Sequence, residues 1–339
     1  MANLRDVASA AGVSKATVSR FINGSLELPP KTADAIKAAI RDLNYQPNPH
    51  ARRLSLGRTD TIGLIVPDIA APFFGTFVAA VEEEAVNRGK VLALHATLNR
   101  RDRELSYIDL VNRGHADGLI FITNRIGDAE LVGKINGAGP CVVVDEDVPG
   151  ANVPKLFCDN HEGGRLAGRY LAEHGHVHVM FVGSDPDMIS GARRYAGLVE
   201  GMRETVGDAA RIDRHTGAYS FDTGRSAGKA LVAQQSARPT AIFASSDEIV
   251  IGLLEALRGT GIMVPQDLSI IGFDDVGPLN LFAPAITAIR QPVRDLGRRA
   301  LHMLLDLSTP DQDSKLPKEE LLPVQLIERA SVAPPIKST

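Results

Sequence analysis

From Thr61 onward, short apolar runs alternate with longer amphipathic stretches, and this alternation constrains the fold more than any other feature. The runs are TIGLIVP (61–67), KVLALHA (90–96), DGLIFIT (117–123), CVVVD (141–145), HVMFVGS (178–184), AIFASSD (241–247) and LSIIGFDD (268–275). Stretches with helical spacing fall between them, among them 77–88, 164–173 and 192–204. A strand that is apolar throughout has both faces buried, and intervening helices supply the cover. Parallel, doubly wound α/β sheets are therefore expected. The stretch of about 270 residues is too long for one such core, which predicts two lobes.

In open sheets of this kind ligands bind beyond the carboxyl ends of the strands. The residues that follow the runs are Asp68 with Phe73 and Phe74, the loop from CVVVD to Asp159-Asn160, and Ser190 with Arg193-Arg194. Tyr219 and Phe221 sit in a further loop, and Ser246-Asp247 and Asp274-Asp275 follow the last two runs. Carboxylates and a forked arginine suit the vicinal hydroxyls of a sugar, and aromatic faces suit its C–H faces. Singly, each has a plainer reading. Phe73 and Phe74 suit a core, Asp247 and Asp274 suit helix caps, and Arg194 suits a surface ion pair.

The first 60 residues have a different rhythm. Asn3, with Asp6 three residues on, reads as an N-cap with an acid in the first turn. Leu4, Val7, Ala8 and Ala11 follow at helical spacing. Gly12 permits a tight turn, and Ser14 caps a second helix. A third begins after Pro29-Pro30, with Ala35, Ile36, Ala39, Ile40 and Leu43 on one face. If Val13, Val18 and Ile22 pin the second helix, Lys15, Ala16 and Arg20 project away from the shared core. Such a helix fits the DNA major groove, where arginine pairs bidentately with guanine. Ser14, Thr17 and Ser19 suit phosphate oxygens. The alternative is a plain three-helix cap.

Charge points the same way. Residues 1–60 carry nine Lys/Arg and five acids, a balance of +4, while the remainder carries -8. A basic head on an acidic body suits a polyanionic partner. The segment YQPNPHARRLSLGRTD (45–60) can start a short helix at Asn48-Pro49, with Arg52 and Arg53 beside Leu54. It is too short to be stable alone, so it either orders on DNA, with Leu54 as a wedge between base steps, or is a linker.

The runs LRDVASAAGVSKATVSRFING and AIKAAIRDLNYQPNPHARRLSLGRTDTIGLIVP resemble the lactose-repressor (LacI/GalR) family of bacterial transcriptional regulators, and the resemblance extends over essentially the whole chain. It implies a helix-turn-helix domain at 1–46, a hinge at 47–60, a two-lobed periplasmic-binding-protein-like body at 61–331 and a tail at 332–339. Lobe 1 would hold about 61–159 and 291–318, and lobe 2 about 160–288 and 320–331. Crossings would fall near Asp159-Asn160, 284–291 and 317–322. The resemblance assigns base reading to Lys15, Ala16 and Arg20 and minor-groove insertion to Leu54. Asn23, Lys31, Thr32, Asn48, His50, Arg52 and Arg53 join Ser14, Thr17 and Ser19 in the DNA-facing set. Ala33 departs from the arginine often found after Thr32, and Lys31 can replace that phosphate contact. By the same resemblance Phe73, Phe74, Ser190, Arg194, Tyr219, Ser246, Asp247 and Asp274 match an effector pocket, with Asp159 near it.

The implied protein is a dimeric repressor of a carbohydrate catabolic operon. It would bind a pseudopalindromic double-stranded operator under control of a small-molecule effector, a sugar or sugar derivative. A purine effector, or a sugar-binding receptor module without DNA function, are the alternatives. The chain end LIERASVAPPIKST lacks the leucine-repeat helix of tetrameric members, so tetramers are not expected. The start MANLRDVASAAG is too polar for a signal peptide and no run of 18 apolar residues appears, so a cytoplasmic protein without membrane contact is expected. Cys141 and Cys158 lie in apolar runs and read as reduced core residues. His174, His176 and His178 in HGHVH, with His161 upstream, are conceivable metal ligands, but alternation at a strand start more readily gives a solvated face. No dinucleotide fingerprint, P-loop or nucleophile elbow occurs, so neither a catalytic residue, a cofactor nor a resident metal is expected.

Overall fold

The computed structural model describes residues 2–23, 26–45, 59–234, 238–308 and 317–336. The chain forms two compact units, Met1–Thr59 and Asp60–Thr339. The first holds α1 (Leu4–Ala10), α2 (Lys15–Ile22) and α3 (Pro30–Asp42). Its boundaries follow from caps. The Asn3 side chain accepts from the Arg5 amide at 2.8 Å, and the Asp6 carboxylate accepts from the Asn3 amide at 2.8 Å, closing a capping box. Gly12 turns the chain with φ +64°, and the Ser14 hydroxyl accepts from the Thr17 amide at 3.1 Å. Val7, Ala8, Val18, Ile36 and Ala39 form the buried centre, with Leu4, Val13, Phe21, Ile22, Ile40 and Leu43 packed around it. Ala35 is exposed rather than on that apolar face. The stripe runs Ile36, Ala39, Ile40, Leu43, and Ala35 lies about 100° away from Ile36 on the helix.

The second unit contains two six-stranded sheets. The first is built from β1 (Thr61–Val66), β2 (Val91–Ala96), β3 (Gly118–Phe121), β4 (Cys141–Val144), β5 (Lys155–Cys158) and β11 (Glu319–Leu322), in the order β11-β5-β4-β3-β1-β2. The second takes β6 (His178–Gly183), β7 (Arg211–Thr216), β8 (Ala241–Ala244), β9 (Ser269–Asp274), β10 (Thr287–Arg290) and β12 (Gln325–Ile327), ordered β12-β10-β9-β8-β6-β7. All pairings are parallel except β10 with β12. The first sheet shows why its central runs are apolar throughout. Leu64, Val66, Ile120 and Val142 pack with Phe77 and Val81 of α4 (Pro72–Asn87) and with Leu301 and Leu304 of α11 (Val293–Ser308). The alternate residues Ile65, Leu119, Phe121 and Val143 pack on Leu105, Ile108, Leu131 and Ile135 of α5 (Arg101–Leu110) and α6 (Ala129–Gly137).

Three crossings join the sheets: after β5, after β10, and between β11 and β12. The last corrects the expected start of lobe 2 at 320. Glu320 still pairs with Leu156 and Leu322 with Cys158, so the switch falls at residues 323–324. A second lobe beginning at 320 would strip the first sheet of this edge. Both cysteines are buried and unpaired, and burial pushes the Cys141 thiol up to about 12. Among the described residues no helix is long and apolar enough to cross a membrane.

Two helices of the second lobe approach unusually closely. Gly164 and Gly168 of α7 (Asn160–Glu173) face the backbone of α8 (Ile189–Val206) at Arg194, Leu198 and Met202, and Gly197 and Gly201 of α8 face that of α7 at His161, Arg165 and Arg169. A Cβ on Gly197 would stand 1.9 Å from the His161 carbonyl oxygen, and one on Gly164 2.0 Å from that of Arg194. Backbone thus rests on backbone, fixing how far α8 and its side chains stand from α7.

Candidate functional site

In the first unit, Ser14, Lys15, Ala16 and Arg20 are exposed, whereas Thr17, Ser19 and Asn23 are half-buried. Val18 anchors α2 from the opposite face with no exposure. Lys31 is exposed in the first turn of α3, and Thr32 is half-buried. The Ser14 and Thr17 hydroxyls bond each other at 2.8 Å. One hydroxyl proton of the pair therefore remains for an outside acceptor such as a phosphate oxygen. Asn48, His50, Arg52, Arg53 and Leu54 lie outside the described residues.

In the second unit, eight of the nine expected effector residues line one cavity of about 50 Å³: Phe73, Phe74, Ser190, Arg194, Tyr219, Ser246, Asp247 and Asp274. Asp159 does not. Its carboxylate accepts from the Glu162 amide at 2.9 Å and caps α7. Its neighbour Asn160 makes the useful contact, accepting from Arg194 Nε at 2.7 Å. Phe221, read with Tyr219 as a loop residue, instead begins α9 (Phe221–Ala233) and is not among the lining residues.

Arg194 is the centre of the arrangement and only 4% exposed. Its guanidinium lies 3.7 Å from the Phe273 ring centroid and 5.5 Å from that of Tyr219. Nη1 donates to the Ser245 carbonyl and stands 3.9 Å from Asp274 Oδ1. Asp274 ends β9 with φ +83°, and its Oδ1 accepts from Gln291 at 2.6 Å. Asp247 opens α10 (Asp247–Leu257) behind the Ser246 cap. Its carboxylate accepts from the amides of Asp275, Val276 and Gly277 at 3.1, 2.9 and 2.6 Å. Asp247 therefore clamps the loop after β9, close to the plainer capping role. Burial first, and then repulsion from Asp274, push Asp247 up; burial also pushes Asp274 up, against the pull of Arg194 and the Gln291 hydrogen bond.

The sequence reading missed Asn124, Asp145, Glu248 and Gln291 in the lining. Asn124 and Asp145 follow visible strands and the strand-end rule reaches them; Gln291 follows β10, a four-residue strand without an apolar signature. Glu146 also escaped notice. It follows β4 in the first lobe, yet accepts from the Ile189 amide at 2.8 Å and from the Ser190 hydroxyl at the start of α8 in the second. Ser190 Oγ in turn lies 3.0 Å from the Tyr219 hydroxyl. A buried carboxylate of one lobe thus holds the helix start of the other.

Two lining atoms have no hydrogen-bond partner: Asp145 Oδ1 and Gln291 Oε1. Burial pushes the Asp145 carboxyl up to about 7, against the pull of Arg194. Burial, then Asp274 and Asp68, push Glu248 up to about 7. Between the ordinary carboxylate range and that value the folded state binds the Asp145 proton and the unfolded chain does not, so this group's contribution to stability falls as pH rises. Asp145→Asn is expected to raise Tm by a few degrees at pH 8, for a gain of about 1 kcal/mol, with much less gain at pH 5. Thermal melts at both pH values check this; equal gains contradict it.

The histidine cluster is not a solvated face. His176 is 1% exposed and bonds Thr240, Ser269 and the Ala333 carbonyl at 2.9–3.0 Å. Burial pushes it down to about 4. His174 bonds the Tyr170 carbonyl and His178 bonds Asp213. Among the described residues no group of three or more His, Cys, Asp or Glu is placed to hold a metal ion.

A helix-turn-helix unit followed by two crossed-over parallel sheets defines a DNA-binding regulator with a periplasmic-binding-protein-like body. The chain belongs to the lacI family of bacterial regulatory proteins: the family model matches residues 3–48, and a periplasmic binding protein-like domain matches 169–332. The HTH-type transcriptional repressor PurR of Erwinia tasmaniensis is 35% identical over 337 residues, covering 98% of this chain and 97% of that protein. The lac repressor dimer bound to operator and the anti-inducer ONPF superposes with a TM-score of 0.84 at 26% identity, over 98% of this chain and 99% of that one. A complex of the regulator CelR with cellobiose has a TM-score of 0.71 at 30% identity, over 98% and 100%. The chain is a DNA-binding transcriptional repressor of this family.

Proposed function

We propose that this repressor responds to a sugar or sugar derivative bound between the two lobes, and that it controls genes of carbohydrate catabolism. The observation that carries the reading is the pair of unpartnered acceptors, Asp145 Oδ1 and Gln291 Oε1, lining the pocket beside Arg194. Buried acceptors without donors are costly, and hydroxyl groups of a ligand relieve both. The cavity of about 50 Å³ is well below the roughly 300–1,000 Å³ of typical ligand sites. Binding therefore requires the lobes to part or the lining to move. That movement is the proposed signal: across a homodimer, a changed lobe angle changes the spacing of the two DNA-binding units.

A purine-type effector is the second reading, favoured by relatives that carry the name PurR. The aromatic geometry favours the sugar. Phe73 and Phe74 meet edge to face at 90°, and the Phe273 and Tyr219 rings are occupied by Arg194, leaving no parallel pair among these rings for a flat base. A thermal-shift panel of monosaccharides, disaccharides and purine bases decides between them. Stabilisation by a saccharide supports the proposal, and stabilisation by a purine base alone refutes it.

On the DNA side, α2 enters the major groove of a pseudopalindromic operator. Lys15, Ala16 and Arg20 meet base edges, while Ser14, Thr17, Ser19, Asn23, Lys31 and Thr32 meet the backbone. Arg20→Ala is expected to cost about 1–3 kcal/mol of operator affinity and to relax preference at one base pair. Fluorescence anisotropy against a panel of operator variants reads both effects. An unchanged profile removes Arg20 from base reading.

A further inference from the structure

We propose that the first turns of α8 form a latch, in which two groups of the first lobe, Glu146 and Glu319, hold the second lobe shut over the pocket. The latch works whichever ligand the pocket takes. Its main catch is the Glu146 carboxylate, only 3% exposed. It accepts from the Ile189 amide at 2.8 Å, from the Ser190 amide at 3.3 Å and from the Ser190 hydroxyl. The sequence of α8 explains why this carboxylate comes from outside. Its own N-cap residue, Met188, makes no side-chain cap bond, and its first turn holds no acid. The neighbouring helices of the second lobe are capped by the residue just before them: Asp159 on α7, Ser220 on α9 and Ser246 on α10. Of these four, α8 alone takes its acceptor from the opposite lobe. The unpaired amides of a first turn and the helix dipole both favour an anion there. Parting the lobes removes that anion and loosens the turn that holds Ser190.

The second catch lies three residues further along α8. Arg193 Nη1 stands 3.5 Å from Glu319 Oε1 on β11, and the guanidinium lies 5.6 Å from the ring centroid of Phe157 on β5. Both strands belong to the first sheet. Both ends of this pair are partly exposed, so water screens it, and the buried Glu146 supplies most of the grip. The next residue, Arg194, serves the pocket through Asn160 and the Ser245 carbonyl. Release of the latch and rearrangement of the pocket are therefore movements of one helix. As the lobes stand, the cavity of about 50 Å³ is too small for a typical ligand, so entry requires the catches to open.

The test is a pulsed dipolar distance measurement between the lobes of the full chain. Spin labels are placed at Ser106→Cys on α5 of the first lobe and Ser226→Cys on α9 of the second, both exposed positions. Cys141 and Cys158 are buried and stay unlabelled. Labelled chains are diluted into unlabelled ones, so each pair of labels reports on one chain. Glu146→Ala is expected to lengthen the mean distance, or to add a longer population, by more than about 2 Å, the scale of a domain rearrangement. Ser190→Ala is the milder change that removes the hydroxyl grip from the other lobe. It is expected to shift the distance the same way by less, and to add little to Glu146→Ala, because the two share one contact. Arg193→Ala is expected to add to the shift of Glu146→Ala. Glu200→Gln is the control, because Glu200 lies on α8 but faces His161 of its own lobe at 3.4 Å; the parent distance is expected. Parent distances in both Glu146→Ala and Ser190→Ala overturn the latch. So does a lowered Tm without any change in distance, which leaves Glu146 a helix cap and nothing more, or a shift in Glu200→Gln as large as that in Glu146→Ala.

Discussion

Arg194→Ala is expected to abolish effector binding and to lower stability by about 3–5 kcal/mol, the cost of leaving buried partners of a charge uncompensated. Arg194 is the cation that draws Asp145 and Glu146 toward ionisation, and it lies 3.9 Å from Asp274. Without it these buried carboxylates lose their counter-charge. The Asn160 oxygen and the Ser245 carbonyl, both now served by the guanidinium, lose a donor. The Phe273 ring loses the cation stacked 3.7 Å from its centroid. Arg194→Lys is not a conservative repair, because an ammonium has neither the planar face nor the fork for these contacts. Urea melts and calorimetric titration of both variants check the account. Full effector binding by the lysine variant would show that the fork is dispensable.

Gly197→Ala is expected to be the most damaging single-methyl change in the second lobe. The new Cβ would lie 1.9 Å from the His161 oxygen and 2.7 Å from the Arg165 nitrogen, both backbone atoms that cannot swing aside. Overpacking of this kind costs about 1–3 kcal/mol where side chains can yield, and more is expected where only helix displacement relieves it. Pushing α8 from α7 also separates Arg194 from Asn160, now 2.7 Å apart. The variant should therefore lose several degrees of Tm and weaken effector binding, although Gly197 is not among the pocket-lining residues. Gly133 on α6, where an added Cβ meets nothing within 4 Å, is the control. Gly133→Ala is expected to leave both properties intact, and an equal loss at both positions would refute the close-approach argument.

The sequence showed the long apolar strands, the edge strand β2 included, but not the interior four-residue strands β5 and β10 or the remaining edges. β1, β3, β4, β8 and β9 are apolar because helices cover both faces, and a continuous run is readable without knowing what covers it. β7 reads RIDRHT because, at the edge of its sheet, Arg211, Arg214 and Thr216 meet solvent and none of its residues is fully buried. β11 and β12 are only four and three residues long and gain their meaning from partners more than 30 positions away. The pocket followed the same division. Side chains just beyond visible strands were found or were reachable, whereas Gln291 depends on β10. The miss at Asp159 came from reading a crossover as a site. The chain does pass the pocket there, but the Asp159 carboxylate turns to cap α7 and the next residue reaches Arg194. The role of Glu146 required knowing that the start of α8 in one lobe faces a loop of the other, which no local pattern encodes.

The central claim is that occupancy of the pocket around Arg194 sets how tightly the amino-terminal unit holds DNA. The direct measurement is fluorescence anisotropy of a labelled operator fragment, titrated with the full chain with and without a saccharide that stabilises the protein. Run at fixed salt, it is expected to show at least a tenfold change in operator Kd on adding the saccharide, about 1.4 kcal/mol of coupling, and no change in Arg194→Ala. An operator Kd that is the same with and without a saccharide shown to occupy the pocket would contradict it.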